Sequence, residues 1–274
     1  MSTDTSTLAG SALPALSAPR VTTARVIRSE WIKLRSLRST PITLVAALAV
    51  VIGLGVAAAA VVSSGGRAGP PGAQAVDPTD LSLSGVTLGQ LIIGVLGVLV
   101  VTGEYTTGMI RATFSAVPTR LPVLWAKIVV FGGVVLAISL VSSLAAFLGG
   151  QAVLGTDGVT LGDSGVLRAV LGAAIYLTGI GLLGLALGAI LRRTAGAIGA
   201  LVGLILILPT MVGLLPDSWS GPLAKVLPSN AGGVFMAVDP GSALLAPWAG
   251  LAVFVTWFAG ALVIAAVLLR RRDA

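Results

Sequence analysis

The 274-residue chain contains no cysteine and no histidine. Without cysteine, neither a disulfide framework nor a thiolate metal site is possible. Without histidine, the commonest general base and the commonest metal ligand are missing. Charge is scarce: Asp, Glu, Lys and Arg make up 10% of the residues, against roughly 25% in a soluble domain. No G-x-x-x-x-G-K-[ST] phosphate loop occurs, so any ATP that drives this protein must be bound by another chain. Apolar sequence is abundant, at 56% of residues with mean hydropathy +1.04. Such a chain takes lipid as its solvent. The net charge of +7 does not point to nucleic acid, because the basic residues are spread along loop ends instead of sharing one soluble face. It fits anchors beside anionic lipid.

Six apolar runs are each long enough to cross about 30 Å of hydrocarbon. They cover about Pro41–Val62, Val86–Thr102, Ile128–Gly150, Ala169–Leu191, Ala195–Leu215 and Leu244–Leu269. None contains Lys, Arg, Asp or Glu. Intramembrane charges mark ion and proton pathways, so their absence argues against a proton-coupled transporter. The fold class expected is an all-α integral membrane protein with six transmembrane helices. Basic residues set the orientation. Fourteen fall on one side: Arg20, Arg25, Arg28, Lys33, Arg35 and Arg38, then Arg111, Arg120 and Lys127, Arg192 and Arg193, and Arg270, Arg271 and Arg272. Three, Arg67, Arg168 and Lys225, fall on the other. The positive-inside rule puts both termini in the cytoplasm.

Residues 1–19 are rich in Ser, Thr, Ala and Pro without a period, which reads as a disordered tail. No basic segment precedes the weak apolar run Leu8–Leu16, so a signal peptide is not expected. From Arg20 to Ser39, Ile27, Trp31, Leu34 and Leu37 recur at helical spacing while Arg25, Arg28, Lys33 and Arg35 take other faces. That pattern predicts a basic amphipathic helix lying in the interface plane. Between the fifth and sixth runs, pieces at about Leu223–Leu227 and Ala231–Val238, broken by Pro228 and Pro240, are too short to span and read as re-entrant or interfacial helices. Trp31 and Trp125 suit an inner aromatic belt, and Trp219 and Trp248 an outer one. Trp257, mid-way along the sixth run, reads as a packing residue.

Two motifs fail in context. Gly179-Ile180-Gly181-Leu182-Leu183-Gly184 has the dinucleotide spacing but lies inside an apolar run, with no strand before it. Gly162-Asp163-Ser164-Gly165 looks like a serine-nucleophile loop, but no histidine exists to take the proton, so a turn is expected. The pairs Gly85/Gly89, Gly184/Gly188 and Gly199/Gly203 predict close helix packing. Gln90, Ser139, Ser142, Ser143 and Thr178 could line a polar path.

The most elaborated polar stretch follows the second run. There Glu104, Gly108, Met109-Ile110, Pro118, Arg120 and Lys127 follow the order Glu…Gly-[Thr/Met]…Pro-x-[Ser/Thr]-Arg…Lys. This resembles the first cytoplasmic loop of type-2 ATP-binding-cassette (ABC) exporter permeases. Arg28-Ser29-Glu30-Trp31-Ile32-Lys33-Leu34-Arg35-Ser36 resembles the connecting helix before their first span. Leu227-Pro228-Ser229-Asn230-Ala231-Gly232 is similar to the segment before their last span. The resemblance implies a permease half in a bacterial cell membrane, paired with a second permease subunit and docked on a separate cytosolic ATPase. The coupling helix would be about Gly108–Val117, with Glu104 and Arg111 at its edge, Met109, Ile110 and Phe114 filling the ATPase groove, and Pro118 and Arg120 closing it. By the same analogy the first and fifth spans, around Gly55 and Gly203, would face the second subunit. This chain would bind no cofactor and carry no catalytic residue; ATP and Mg would sit on the partner. The competing expectation is a non-transporting anchor or immunity factor that holds a cytosolic partner at the membrane.

Overall fold

A computed structural model describes residues 22–37, 39–66, 77–117, 119–239 and 245–271. The expected tail at 1–19, Arg20, Pro118 and the break at Pro240 lie outside the described residues. Among those described there is no strand.

The helices are α1 (Thr23–Ser36), α2 (Ser39–Ser63), α3 (Pro78–Ser82), α4 (Val86–Thr106), α5 (Met109–Ala116), α6 (Leu121–Leu154), α7 (Val166–Leu191), α8 (Thr194–Val202), α9 (Leu208–Val212), α10 (Asp217–Val226), α11 (Pro228–Met236) and α12 (Pro247–Arg271). A π-helical turn, Gly203–Ile207, joins α8 to α9. Among the described residues six stretches are long and apolar enough to cross a membrane: α2, α4, α6, α7, α8 through α9, and α12. The six expected spans are therefore present, with revised ends. The second continues past Thr102 to Thr106 and the third begins at Leu121. Both consequently hold a charge that the apolar runs excluded, Glu104 and Lys127, and both side chains are buried. The helices continue through these residues because the charges find each other.

α4 and α7 form the centre and run side by side in the same direction. Their backbones nearly touch. A Cβ built on Gly97 would lie 2.1 Å from the Gly181 carbonyl oxygen, and one on Gly184 would lie 2.2 Å from that of Gly94. Side chains at these positions would hold the helices apart, so glycine sets the spacing. Gly179, Gly181 and Gly184 of the dinucleotide-like motif are helix-packing glycines, meeting Phe254, Phe131 and Gly94. Gly85 and Gly89 pack on Val51 of α2. A Cβ built on Gly199 or Gly203, by contrast, would meet nothing within 4 Å, so among the described residues no helix packs on that side of the pair. Gly55 is the reverse: a Cβ there would strike the Ser82 carbonyl oxygen at 2.0 Å, inside the bundle. It is unavailable to a second subunit, contrary to the expectation.

At the end holding the α6–α7 loop, α10 and α11 form a helical hairpin, each arm longer than the pieces foreseen. Trp257, about 15 Å along α12, donates from Nε1 to the Val226 carbonyl at 2.7 Å. Its side chain is not packed in the core; the residue is 36% exposed. Its work is to satisfy a carbonyl where α10 stops. Asn230 Nδ2 donates to Ala224 O at 3.0 Å, and Pro228 has no N–H to satisfy. Arg168 closes the other end of α11, donating to Phe235 O and Val238 O at 2.9 and 3.1 Å. Asp163 accepts from the Thr160 N–H at 2.7 Å, so the serine-nucleophile look-alike is a turn.

Candidate functional site

The opposite end of the bundle gathers the basic residues and the polar stretch. Gly108 breaks α4 from α5 with φ +72°, a left-handed conformation that glycine takes without strain. α5 then has two faces. Ile110 and Phe114 are buried in the chain's own core, beside Leu124 and Leu269. Met109, Arg111, Ala112 and Ser115 are exposed. Ile110 and Phe114 are thus committed to the bundle and do not face outward into a groove.

α1 lies across this end, against α6. The expected apolar stripe packs only in part: Ile27 and Leu34 are half-buried against the core, Trp31 and Leu37 are exposed, and Val26 and Glu30 are buried. Arg28 and Arg35 are exposed on the outer side. Amphipathic spacing identified the helix and half of its docked side, but not that Glu30 docks with Ile27 and Leu34.

That charge belongs to a cluster. Lys127 Nζ lies 2.6 Å from Glu30 Oε2 and 2.7 Å from Glu104 Oε1. Lys33 Nζ lies 2.6 Å from Glu30 Oε1 and 3.1 Å from Glu104 Oε1. Lys33 also donates to Thr113 Oγ1 at 3.2 Å. Glu30, Glu104 and Lys127 are only 4–5% exposed. Burial draws Lys33 down, but the hydrogen bonds and charges of Glu30 and Glu104 outweigh it and hold its ammonium above the ordinary value. One point therefore joins α1, α4, α5 and α6. The sequence held a signal for it: the chain has only two glutamates and three lysines, and the cluster takes both glutamates and two of the lysines. Glu30 is also the single acid in a basic segment.

Other ties surround it. Arg120 begins α6 with φ +55°. Its guanidinium lies 5.5 Å from the centre of the Phe114 ring and donates to Leu269 O at 3.5 Å. It links α5 to the end of α12, where a cation is favoured by the carbonyls of a helix C-terminus. Arg192 lies over Tyr105 at 5.4 Å, and Thr194 Oγ1 donates to Thr102 Oγ1 at 3.0 Å. The serines considered for a polar path are buried: Ser142 and Ser143 donate to Ser139 O and Leu140 O of their own helix.

Beside the cluster is a cavity of about 270 Å³. Its lining includes Glu30, Lys33, Glu104 and Lys127, the hydroxyl residues Ser39, Thr40, Thr43 and Thr107, and apolar residues such as Leu96, Val130 and Phe131.

Residues 26–210 match the family model described as "ABC-2 family transporter protein". No curated protein matches the chain.

Proposed function

From a chain that belongs to the ABC-2 family of transporter proteins, and is thus a permease component of an ABC transporter, we infer an ATP-driven exporter subunit whose α5 receives the push of a separate cytosolic ATPase. The chain sits in a bacterial plasma membrane with both termini in the cytoplasm, and a second permease subunit completes the pathway. The open face at Gly199 and Gly203 on the fifth span is where that subunit packs. Hydrolysis takes place on the ATPase; this chain conveys movement.

The observation that carries the reading is the charge cluster behind α5. A coupling element must be stiffly joined to the spans it moves. Lys33 holds Thr113 of α5 and Glu104 of α4, and Lys127 holds Glu104 and Glu30 from α6. Arg120 extends the linkage to α12. A displacement of α5 therefore reaches α1, α4, α6 and α12 together. The exposed face of Met109, Arg111, Ala112 and Ser115 gives the ATPase one apolar anchor with a polar rim, the arrangement of a docked interface.

Met109→Asp with Ala112→Asp tests this. Both positions are exposed, so the bundle keeps its fold. ATPase co-purification and transport-coupled hydrolysis in proteoliposomes are expected to fall at least about tenfold, the effect of roughly 1.4 kcal/mol at the interface. Undiminished assembly and coupling would remove α5 from the interface.

A further inference from the structure

The face of α1 that turns away from the bundle has chemistry that coupling does not use. Arg28, Trp31 and Arg35 follow one another along it at helical spacing. All three are exposed, as is Ile32 beside them. Among the described residues neither arginine pairs with an acid. The acids described at this end, Glu30 and Glu104, are buried in the cluster. What this end shows its surroundings is therefore cationic or neutral.

The cluster also fixes the depth of the face. Trp31 follows Glu30, and Trp125 lies just before Lys127. Glu30 Oε2 and Lys127 Nζ are 2.6 Å apart, so both indoles stand within about one helical turn of one point. They are 47% and 60% exposed. Val129, a turn beyond Trp125 on the same face of α6, is exposed as well, so α6 enters hydrocarbon at Trp125. Ile42 and Val45, exposed at the start of α2, mark the same level, because α2 begins where α1 ends. Exposed tryptophans at one depth belong to the head-group zone.

We propose that this face of α1 binds anionic phospholipid, with Arg28 and Arg35 holding the phosphates and Trp31 and Ile32 set among the upper acyl chains. A guanidinium meets a phosphate with two parallel N–H bonds. A basic residue beside an anionic membrane surface is worth about fivefold in binding, so the pair is worth about 25-fold. A zwitterionic head group carries its own cation and forfeits most of that gain. An acidic protein surface could also meet the arginines, but the depth set by Trp31 and Trp125 favours lipid. Glu30 is on the reverse side of α1, so lipid held here restrains the helix that supplies Glu30 to the cluster.

The test needs no ATPase, so its outcome is separate from that of the coupling assignment. The full chain in a non-ionic detergent is titrated with dioctanoyl phosphatidylglycerol and with dioctanoyl phosphatidylcholine, and bound lipid is counted by native mass spectrometry. Phosphatidylglycerol is expected to bind at least about tenfold tighter, with the preference shrinking as salt screens the charges. Arg28→Gln with Arg35→Gln should weaken phosphatidylglycerol binding at least about tenfold and leave phosphatidylcholine binding and thermal stability as they are. Arg270→Gln with Arg271→Gln removes the same charge from exposed positions at the same end and should keep the preference. An equal loss in both pairs would mean general attraction to a cationic surface. Displacement by inorganic phosphate at a concentration comparable to that of the lipid would mean a site for free anions. Either result, or phosphatidylglycerol binding undiminished in the Arg28 and Arg35 variant, would overturn the proposal; in the last case, loss of ATPase co-purification by that variant would give the face to a protein.

Discussion

Glu30, Lys33, Glu104 and Lys127 occupy positions where a lone charge is costly, so each is tolerated because the others are there. Lys127→Met leaves two buried glutamates facing Lys33 alone. Breaking a buried pair in this way costs about 3–5 kcal/mol, seen as a lowered unfolding midpoint in detergent. Adding Glu30→Gln removes one of the stranded charges and should recover part of the loss. A double variant less stable than Lys127→Met would contradict the cluster. At the opposite end, desolvation and then the charge of Asp77 raise the Asp80 carboxyl to about 6 from 3.8. The folded form holds this proton more tightly than the unfolded chain does. Stability therefore falls as pH rises from about 4 through 6. Asp80→Asn should stabilise at pH 7.5 and make little difference at pH 4. The gain is under about 1 kcal/mol, because the half-buried carboxylate is still screened by water. Equal gains at both pH values would show that Asp80 is not penalised by its surroundings.

Among the elements, the α4–α7 contact is set by glycine. Gly97→Ala places a methyl 2.1 Å from a backbone carbonyl oxygen, which only a backbone shift relieves. Overpacking of this kind costs about 1–3 kcal/mol. Thermal unfolding of purified Gly97→Ala should show that loss, whereas Gly260→Ala, with open space around it, should match the parent. GxxxG spacing alone did not separate these cases: Gly184/Gly188 meets a neighbour and Gly199/Gly203 does not. α5 teaches the same lesson. Its apolar residues were legible, but Ile110 and Phe114 turn inward while Met109 turns outward, a matter of how Gly108 turns the chain into α5.

On the scale of the whole molecule, orientation carries the functional reading, since α5 must meet a cytosolic ATPase. The absence of cysteine makes it measurable, because any introduced cysteine is the sole thiol. Ser115→Cys on the exposed side of α5 and Ser218→Cys at the start of α10 lie at opposite ends of the bundle. In intact cells a membrane-impermeant maleimide should label Ser218→Cys and leave Ser115→Cys unlabelled until the cells are opened. The opposite pattern would reverse the topology and remove the ATPase from α5.

Composition and periodicity by themselves determined the helical membrane class, the six spans, the amphipathic α1 and the broken segment before the last span. These depend on hydropathy and helix length, which are properties of short windows. The tertiary structure alone decided which residues meet: that Glu30, Lys33, Glu104 and Lys127 form one cluster, that Trp257 serves a carbonyl of α10, and that Gly55 faces inward while Gly203 stays open. Those pairings join residues as far apart as 97 positions. They follow from how the helices are rotated and stacked, which no local pattern encodes.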